Sequence, residues 1–257
     1  MMTVPASYLG VWQRTLLRTS EGVEDRTTRV FWMQTRMLHA DIRVPDPEPQ
    51  DSAARARLAG FAGLTQVRGE CCQWHRLIDF HPNSGQDIGR MQFIDSEEVH
   101  ESALDDSYLE VWQRLPDSRG ETQAQWLRAA DNPARHACLL LAGDYFLFAA
   151  DRPEPLSPGA SLEKRLAVVD PALRENLLTF ELSFGRIRDG NRPWRVDLSS
   201  LPGRTGQTLV SPGAGADLSR WACEMWETLG VYPPEGGWLK SAVPSDVLSQ
   251  VDSPASM

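Results

Sequence analysis

Residues 8–14 read YLGVWQR and residues 108–114 read YLEVWQR. The segment returns with a single change, Gly10 becoming Glu110. A chance repeat has no followers, whereas here other landmarks recur in the same order. TRVFWMQT (28–35) has its counterpart in QAQWLRA (123–129), with Trp32 matched to Trp126. LHADIRVPDPEP (38–49) is matched by YFLFAADRPEP (145–155), each ending in a Pro-Glu-Pro exit. Both exits lead into short helical text, DSAARARLAG (51–60) and SPGASLEKRLAVV (157–169), where Pro, Ser or Asp precedes helix formers. The pattern reads as an internal duplication, and Trp12 and Trp112 are expected at equivalent places in two halves.

The strands follow from period-two alternation. In LHADIRV, Leu38, Ala40, Ile42 and Val44 alternate with His39, Asp41 and Arg43, giving one apolar and one polar face. HACLLLAGDYFLFAA (136–150) reads as a hairpin turning at Gly143-Asp144. Strand text continues in CCQWHRLIDFHP (71–82), DIGRMQFI (87–94), LLTFELSFGRI (177–187) and PWRVDLSS (193–200), and the acidic linker 95–107 has room for one more strand. SRWACEMWETLG (219–230) spaces Trp221, Met225 and Leu229 for a helix capped by Gly230. The Ser- and Pro-rich stretch 241–257 reads as weakly ordered.

Composition narrows the function classes. A net charge of −9 over 257 residues disfavours a non-specific nucleic-acid binder, which needs a basic face to displace counterions. The nine Trp call for a core with polar groups placed among the rings, since a buried indole N–H needs a partner. Cys71, Cys72, Cys138 and Cys223 match neither a zinc nor a redox spacing. The start MMTVPASYLG has no signal-peptide pattern, and no run approaches the ~20 apolar residues of a membrane span. A cytoplasmic location, with no membrane association and no nucleic acid, is expected. Nucleotide-binding and hydrolase motifs are absent from the sequence.

The opening strand resembles the Gly-x-Trp start of lipocalin-like (calycin) barrels, where the Trp plugs the base and an Arg stacks near it. Gly10, Trp12 and Arg14 match this opening, and Trp112 and Arg114 match in the second copy, where Glu110 departs from it. The order of landmarks is similar to the duplicated lipocalin-like family of the Hri type, typified by a fungal kinase-interacting protein. Phe31, Trp32 and Thr35, then Val44 and Pro45, then Trp112 and Gln113 carry the similarity, over residues 8–210. The resemblance implies a fold and no activity.

The fold class expected is mainly β: two lipocalin-like antiparallel barrels, with short helices after each Pro-Glu-Pro turn and one C-terminal helix. The first barrel is placed at 7–106, the second barrel with its helix at 107–232, and the tail at 241–257. Aromatic-basic pairs at i, i+2, such as Trp12/Arg14 and Trp74/Arg76, share a strand face. They either shield a structural Arg or line a cavity for a small anionic or amphipathic ligand. Arg76, Trp74, Arg14, Gln34, Arg43 and Trp32 are the ligand-binding candidates, with Arg76 the principal anion contact and Asp41 or Asp87 its alternative partner. In WHRLIDFHP, strict alternation puts His75, Leu77, Asp79 and His81 on one face and Trp74, Arg76, Ile78 and Phe80 on the other. His75, Asp79 and His81 are the catalytic candidates, set against a plain solvated strand face. No metal site and no cofactor are expected. The function expected is non-catalytic binding of a small molecule or a protein partner. A lyase or isomerase acting inside the first barrel, and a scaffold with filled barrels, are the alternatives.

Overall fold

The computed structural model describes residues 4–49, 51–82, 85–188, 194–209 and 221–227. The alternating segments up to residue 114 form nine strands: β1 (Gly10–Thr19), β2 (Glu24–Asp25), β3 (Arg29–Gln34), β4 (Leu38–Val44), β5 (Ala59–Arg68), β6 (Cys71–Asp79), β7 (Asp87–Phe93), β8 (Glu98–Ala103) and β9 (Tyr108–Arg114). Sequential neighbours pair antiparallel, except that β3 pairs with β1 and the two-residue β2 is a flap on β1. β1 also pairs with β9, which closes an eight-stranded barrel and removes its exposed edges.

The repeated segment is the seam of this barrel. Trp12 lies opposite Arg114, Gln13 opposite Gln113 and Arg14 opposite Trp112. YLEVWQR therefore completes the first barrel instead of opening a second, so the expected boundary at 106/107 and the equivalence of Trp12 with Trp112 are corrected. The physical reason lies in the text itself. Two strands carrying Trp and Arg two residues apart can run antiparallel with each indole beside the other strand's guanidinium.

At the base of the barrel, Trp12 is fully buried, and its Nε1–H donates to the Tyr8 carbonyl at 2.8 Å. Tyr8 ends a short 3-10 turn, Ala6–Tyr8, that runs under the opening. The Arg that stacks on the plug is Arg114, 4.1 Å above the Trp12 ring, and not Arg14. Arg114 donates to the carbonyls of Ser7 and Leu9 around the 3-10 turn and of Ser96 between β7 and β8, tying both segments to the base. Gly10 has φ +124°, and a Cβ there would press on the Arg114 guanidinium. The glycine is thus the space through which Arg114 reaches Trp12.

The remaining strands are β10 (Thr122–Ala129), β11 (His136–Ala142), β12 (Tyr145–Ala150), β13 (Glu181–Arg186), β14 (Arg195–Ser199) and β15 (Trp221–Glu227). They form one antiparallel sheet in the order β14-β13-β12-β11-β10-β15. Among the described residues no pairing joins β14 to β15, so the expected second barrel is here a six-stranded open sheet. The expected helix over 219–230 is corrected over 221–227, which is strand paired to β10. A short isolated helix is marginal in water, whereas the free edge of β10 offers a hydrogen-bond ladder. The rest of that segment and the stretch 241–257 lie outside the described residues. Among the described residues there are three short α-helices: α1 (Ser52–Arg55), α2 (Leu162–Val168) and α3 (Pro171–Leu177). Asp51 and Ser161 cap the first two, accepting from Ala54 N at 2.7 Å and Lys164 N at 3.2 Å.

One face of the open sheet covers the outside of the barrel. Leu38, Ala40, Ile42 and Val44 of β4 share a single buried core with Leu140, Leu147, Leu182 and Leu198, and Phe31 stacks on Phe184 at 4.3 Å. The alternation in LHADIRV thus has its apolar side outward, against the second sheet, and its polar side in the lumen. Arg152, with no exposed surface, fastens the two parts. It donates to the carbonyls of Phe80 at 2.9 Å and Leu177 at 3.0 Å, and lies near the rings of Phe80 and Phe180. Truncating the plug should cost the barrel its base. Trp12→Ala is expected to lower stability by about 3–5 kcal/mol in urea denaturation, and an unchanged midpoint would contradict the plug.

Candidate functional site

The lumen holds a cavity of about 330 Å³ in the half of the barrel where β1 ends. Trp32, Trp74 and Trp112 border it as an edge-to-face cluster, with Trp32 at 5.7 Å from Trp74 and 5.9 Å from Trp112. Leu17, Thr19, Phe61 and Tyr108 add further wall, and Asp41, Arg43, Arg76, Asp87, Glu101 and Glu110 supply charge.

Two β-bulges decide which side chains reach this space. A bulge inserts one residue and flips the alternation beyond it. In β1 the register against β9 shifts between Arg14 and Leu16, so that Leu17 lines the cavity and Arg14, before the bulge, reaches Glu110 at its border. In β6 the shift falls between the pairs Ala62–Ile78 and Gly63–Arg76, and Leu77 is the inserted residue. Ile78 and Phe80 then turn outward into the core shared with the second sheet, while Asp79 turns inward to Arg76. The strict alternation expected for WHRLIDFHP is corrected accordingly. Gly63 permits this approach, because a Cβ there would overlap the His75 carbonyl.

The guanidinium groups are already paired. Arg76 donates through Nε at 2.8 Å and Nη2 at 2.6 Å to Asp87, and through Nη1 at 3.4 Å to Asp79. Its plane lies 3.6 Å above the Phe61 ring. Arg14 bridges Glu110 at 2.6 Å and Asp25 at 2.7 Å from just behind the wall. Arg43 bonds Asp41 at 2.8 Å and comes within 4.0 Å of Glu110. The expected anion contact at Arg76 is therefore occupied by carboxylates of the protein itself.

Glu101 stands apart. It sits opposite Glu110 in the β8–β9 register and is 6% exposed. Among the described residues it makes no ion pair, and its hydrogen-bond donor is the Tyr108 hydroxyl at 2.9 Å. Burial, then the charges of Glu110 and Asp87, push its carboxyl up to about 8, so it holds a proton at neutral pH. Trp32 and Trp112 are each 2% exposed, and neither indole Nε1–H finds an acceptor among the described residues.

Of the residues singled out from sequence, Arg76, Trp74, Arg43 and Trp32 line the cavity, and Arg14 backs it. Gln34 does not: it is buried toward the base, where its amide donates to the Thr35 and Leu38 carbonyls and accepts from the Thr65 hydroxyl. Thr65 also bonds His39, which burial keeps neutral. The three catalytic candidates do not share one site. His75 pairs across to the outward Leu64, Asp79 faces Arg76 and accepts from the His81 backbone N–H at 2.9 Å, and the His81 ring bonds the Leu58 carbonyl at 2.8 Å. Among the described residues no three His, Cys, Asp or Glu side chains gather as metal ligands, and no helix is long and apolar enough to cross a membrane. Sequence reasoning missed Phe61, Glu101, Tyr108, Glu110 and Trp112 as cavity residues. The departure of Glu110 from the Gly10 pattern was itself the available signal.

No family model and no curated protein matches the chain. Among solved structures, it is similar to an uncharacterized protein from Saccharomyces cerevisiae at 12% identity and TM-score 0.56, over 85% of this chain and 99% of that one. A lipocalin-like protein from Bacteroides uniformis aligns at 11% identity and TM-score 0.34, over 42% of this chain and 99% of that one. An uncharacterized protein from Bacteroides eggerthii aligns at 9% identity and TM-score 0.32, with the same coverage. The likeness to the yeast protein is one of fold.

The state of Glu101 has a measurable consequence. Its carboxyl goes from an ordinary 4.5 to about 8 on folding, so the folded chain binds more protons between those values. Stability from this group is then greatest at low pH and is lost as pH rises through that window. Glu101→Gln keeps an acceptor for Tyr108 and escapes the loss. The melting temperature of the variant minus that of the wild type is expected to grow between about pH 5 and about pH 9, and a flat difference would contradict the assignment.

Proposed function

We propose that this chain binds a small amphipathic molecule non-covalently inside its barrel, without catalysis. The observation that carries this reading is the 330 Å³ lumen cavity, bordered by Trp32, Trp74, Trp112 and Phe61 and set with buried polar groups. Sites for small molecules are typically clefts of roughly 300–1,000 Å³ with apolar walls and a few fixed polar groups. Val23 and Leu104, both at least half exposed, lie in the β1–β2 and β8–β9 turns at the same end of the barrel. Their position suits the approach of a partly apolar ligand.

The alternatives have less support. A lyase or isomerase needs an acid and a base at one site, and His75, Asp79 and His81 do not share one. A scaffold with filled barrels sits poorly with the lumen cavity. An anionic ligand would meet guanidinium groups already held by carboxylates. The two-part β architecture is also what supports a relation to Hri-type lipocalin-like proteins, a relation that carries no activity with it.

Binding can be read with the neutral fluorophore N-phenylnaphthylamine. Its emission should rise, and tryptophan emission should fall, on titration into the wild-type protein. Leu17→Trp fills the cavity from its wall without replacing a charged residue, and should abolish both changes while the variant still melts cooperatively. Equal binding to wild type and variant, or none to wild type, would contradict the proposal.

A further inference from the structure

The charges around the lumen do not balance. Arg14, Arg43 and Arg76 face six carboxyl groups: Asp25, Asp41, Asp79, Asp87, Glu101 and Glu110. Each guanidinium is paired, and five of the carboxyl groups are accounted for by those pairs. The sixth, Glu101, is more than nine-tenths buried, lines the cavity and makes no ion pair among the described residues, although the charge of Arg43 acts on it. An unpaired buried carboxyl is costly unless something compensates it. The Tyr108 hydroxyl donates to Glu101, and Trp32, Trp74 and Trp112 line the same cavity. Aromatic faces attract a desolvated cation, and a carboxylate completes the pairing.

We propose that the ligand is a monocationic amphipathic molecule, a protonated amine with an apolar or aromatic body, whose ammonium group donates to Glu101 while its body rests on the Trp32–Trp74–Trp112 cluster. This inference rests on the lumen-binding reading and specifies its ligand class. An anion finds no unpaired guanidinium here and meets an excess of acid. A neutral molecule leaves Glu101 on its proton and gains no ion pair from it.

The empty cavity handles the surplus acid with a proton. Glu101 faces Glu110 and Tyr108 on β9, Asp87 on β7, Arg43 on β4 and Cys72 on β6. Two of these carboxyl neighbours and the burial hold it protonated at neutral pH, against the weaker pull of Tyr108 and Arg43. When an ammonium arrives, its N–H replaces that compensation: the proton leaves Glu101 for solvent and the ionised carboxylate accepts from the ligand. No covalent bond of the ligand changes. Amine binding therefore releases up to one proton near neutral pH and strengthens as pH rises toward that of Glu101 ionisation.

A matched set tests this: phenethylamine, phenethyl alcohol and phenylacetate, which share a body and differ in charge. In calorimetry on the full chain, the amine is expected to bind at least about tenfold more tightly than the alcohol, and the carboxylate most weakly. The apparent enthalpy for the amine should vary with the ionisation enthalpy of the buffer, reporting the released proton. In Glu101→Gln, the amine's advantage over the alcohol and the buffer dependence should both disappear. Equal binding of amine and alcohol, tightest binding of the carboxylate, or an undiminished amine preference in Glu101→Gln would each overturn the inference. Where N-phenylnaphthylamine still binds in the lumen, those results overturn the ligand class alone; where it does not, the lumen-binding reading falls as well.

Discussion

The backbone ladder between β1 and β9 is the constraint on which the rest depends. Closing the sheet forces alternate residues of eight strands into one lumen, where none can retreat to solvent. It also brings the two YLxVWQR segments side by side, so that Arg114 caps Trp12 at the base and Glu110 reaches Arg14 above it. The same register that stabilises the seam sets a base of stacked aromatic rings below and a ring of charge above. Fold and candidate site are two consequences of one pairing.

The polarity of this barrel runs opposite to the simplest expectation. Its polar faces, such as His39, Asp41 and Arg43, look inward, and the outward apolar face of β4 needs cover. The second sheet supplies that cover, and the Phe31–Phe184 stack and the fully buried Arg152 hold it there. The second part of the chain therefore acts as the missing half of the barrel's outer core, and it frees the lumen to carry charge. Buried ion pairs contribute little net stability, because desolvation offsets their attraction. The six carboxyl groups gathered around three guanidiniums thus add little to the stability of the fold.

Much of the fold could be read from local text, since alternation, turn dipeptides and caps act over a few residues. β4, β7, β11 and β12 fall where their periodicity put them. Pairing partners are a different matter, because they are chosen by distant segments. The repeated heptapeptide announced two strands in matching surroundings, and such surroundings arise equally in two similar domains or on adjoining strands of one barrel. The bulge at Leu77 had no local signature either, and it alone moved Asp79 into the lumen and Ile78 out of it. Trp74 and Arg76 were legible as cavity residues because an aromatic and a basic residue two apart share a strand face, and Trp32 and Arg43 lie beside them in the lumen. Glu101 was not legible, for its meaning depends on what every other strand fails to place beside it. Trp221–Glu227 shows the same limit: a spacing compatible with a helix was settled by the open edge of β10.

The most direct test of the account is a nuclear Overhauser spectrum of isotope-labelled protein, read for backbone contacts of residues 108–114. Closure of the barrel by β1 and β9 requires cross-strand contacts of Trp112 with Arg14, Gln113 with Gln13 and Arg114 with Trp12. Contacts from these residues to the strand Thr122–Ala129, with none to β1, would instead make YLEVWQR the opening of a second barrel and leave the lumen unclosed.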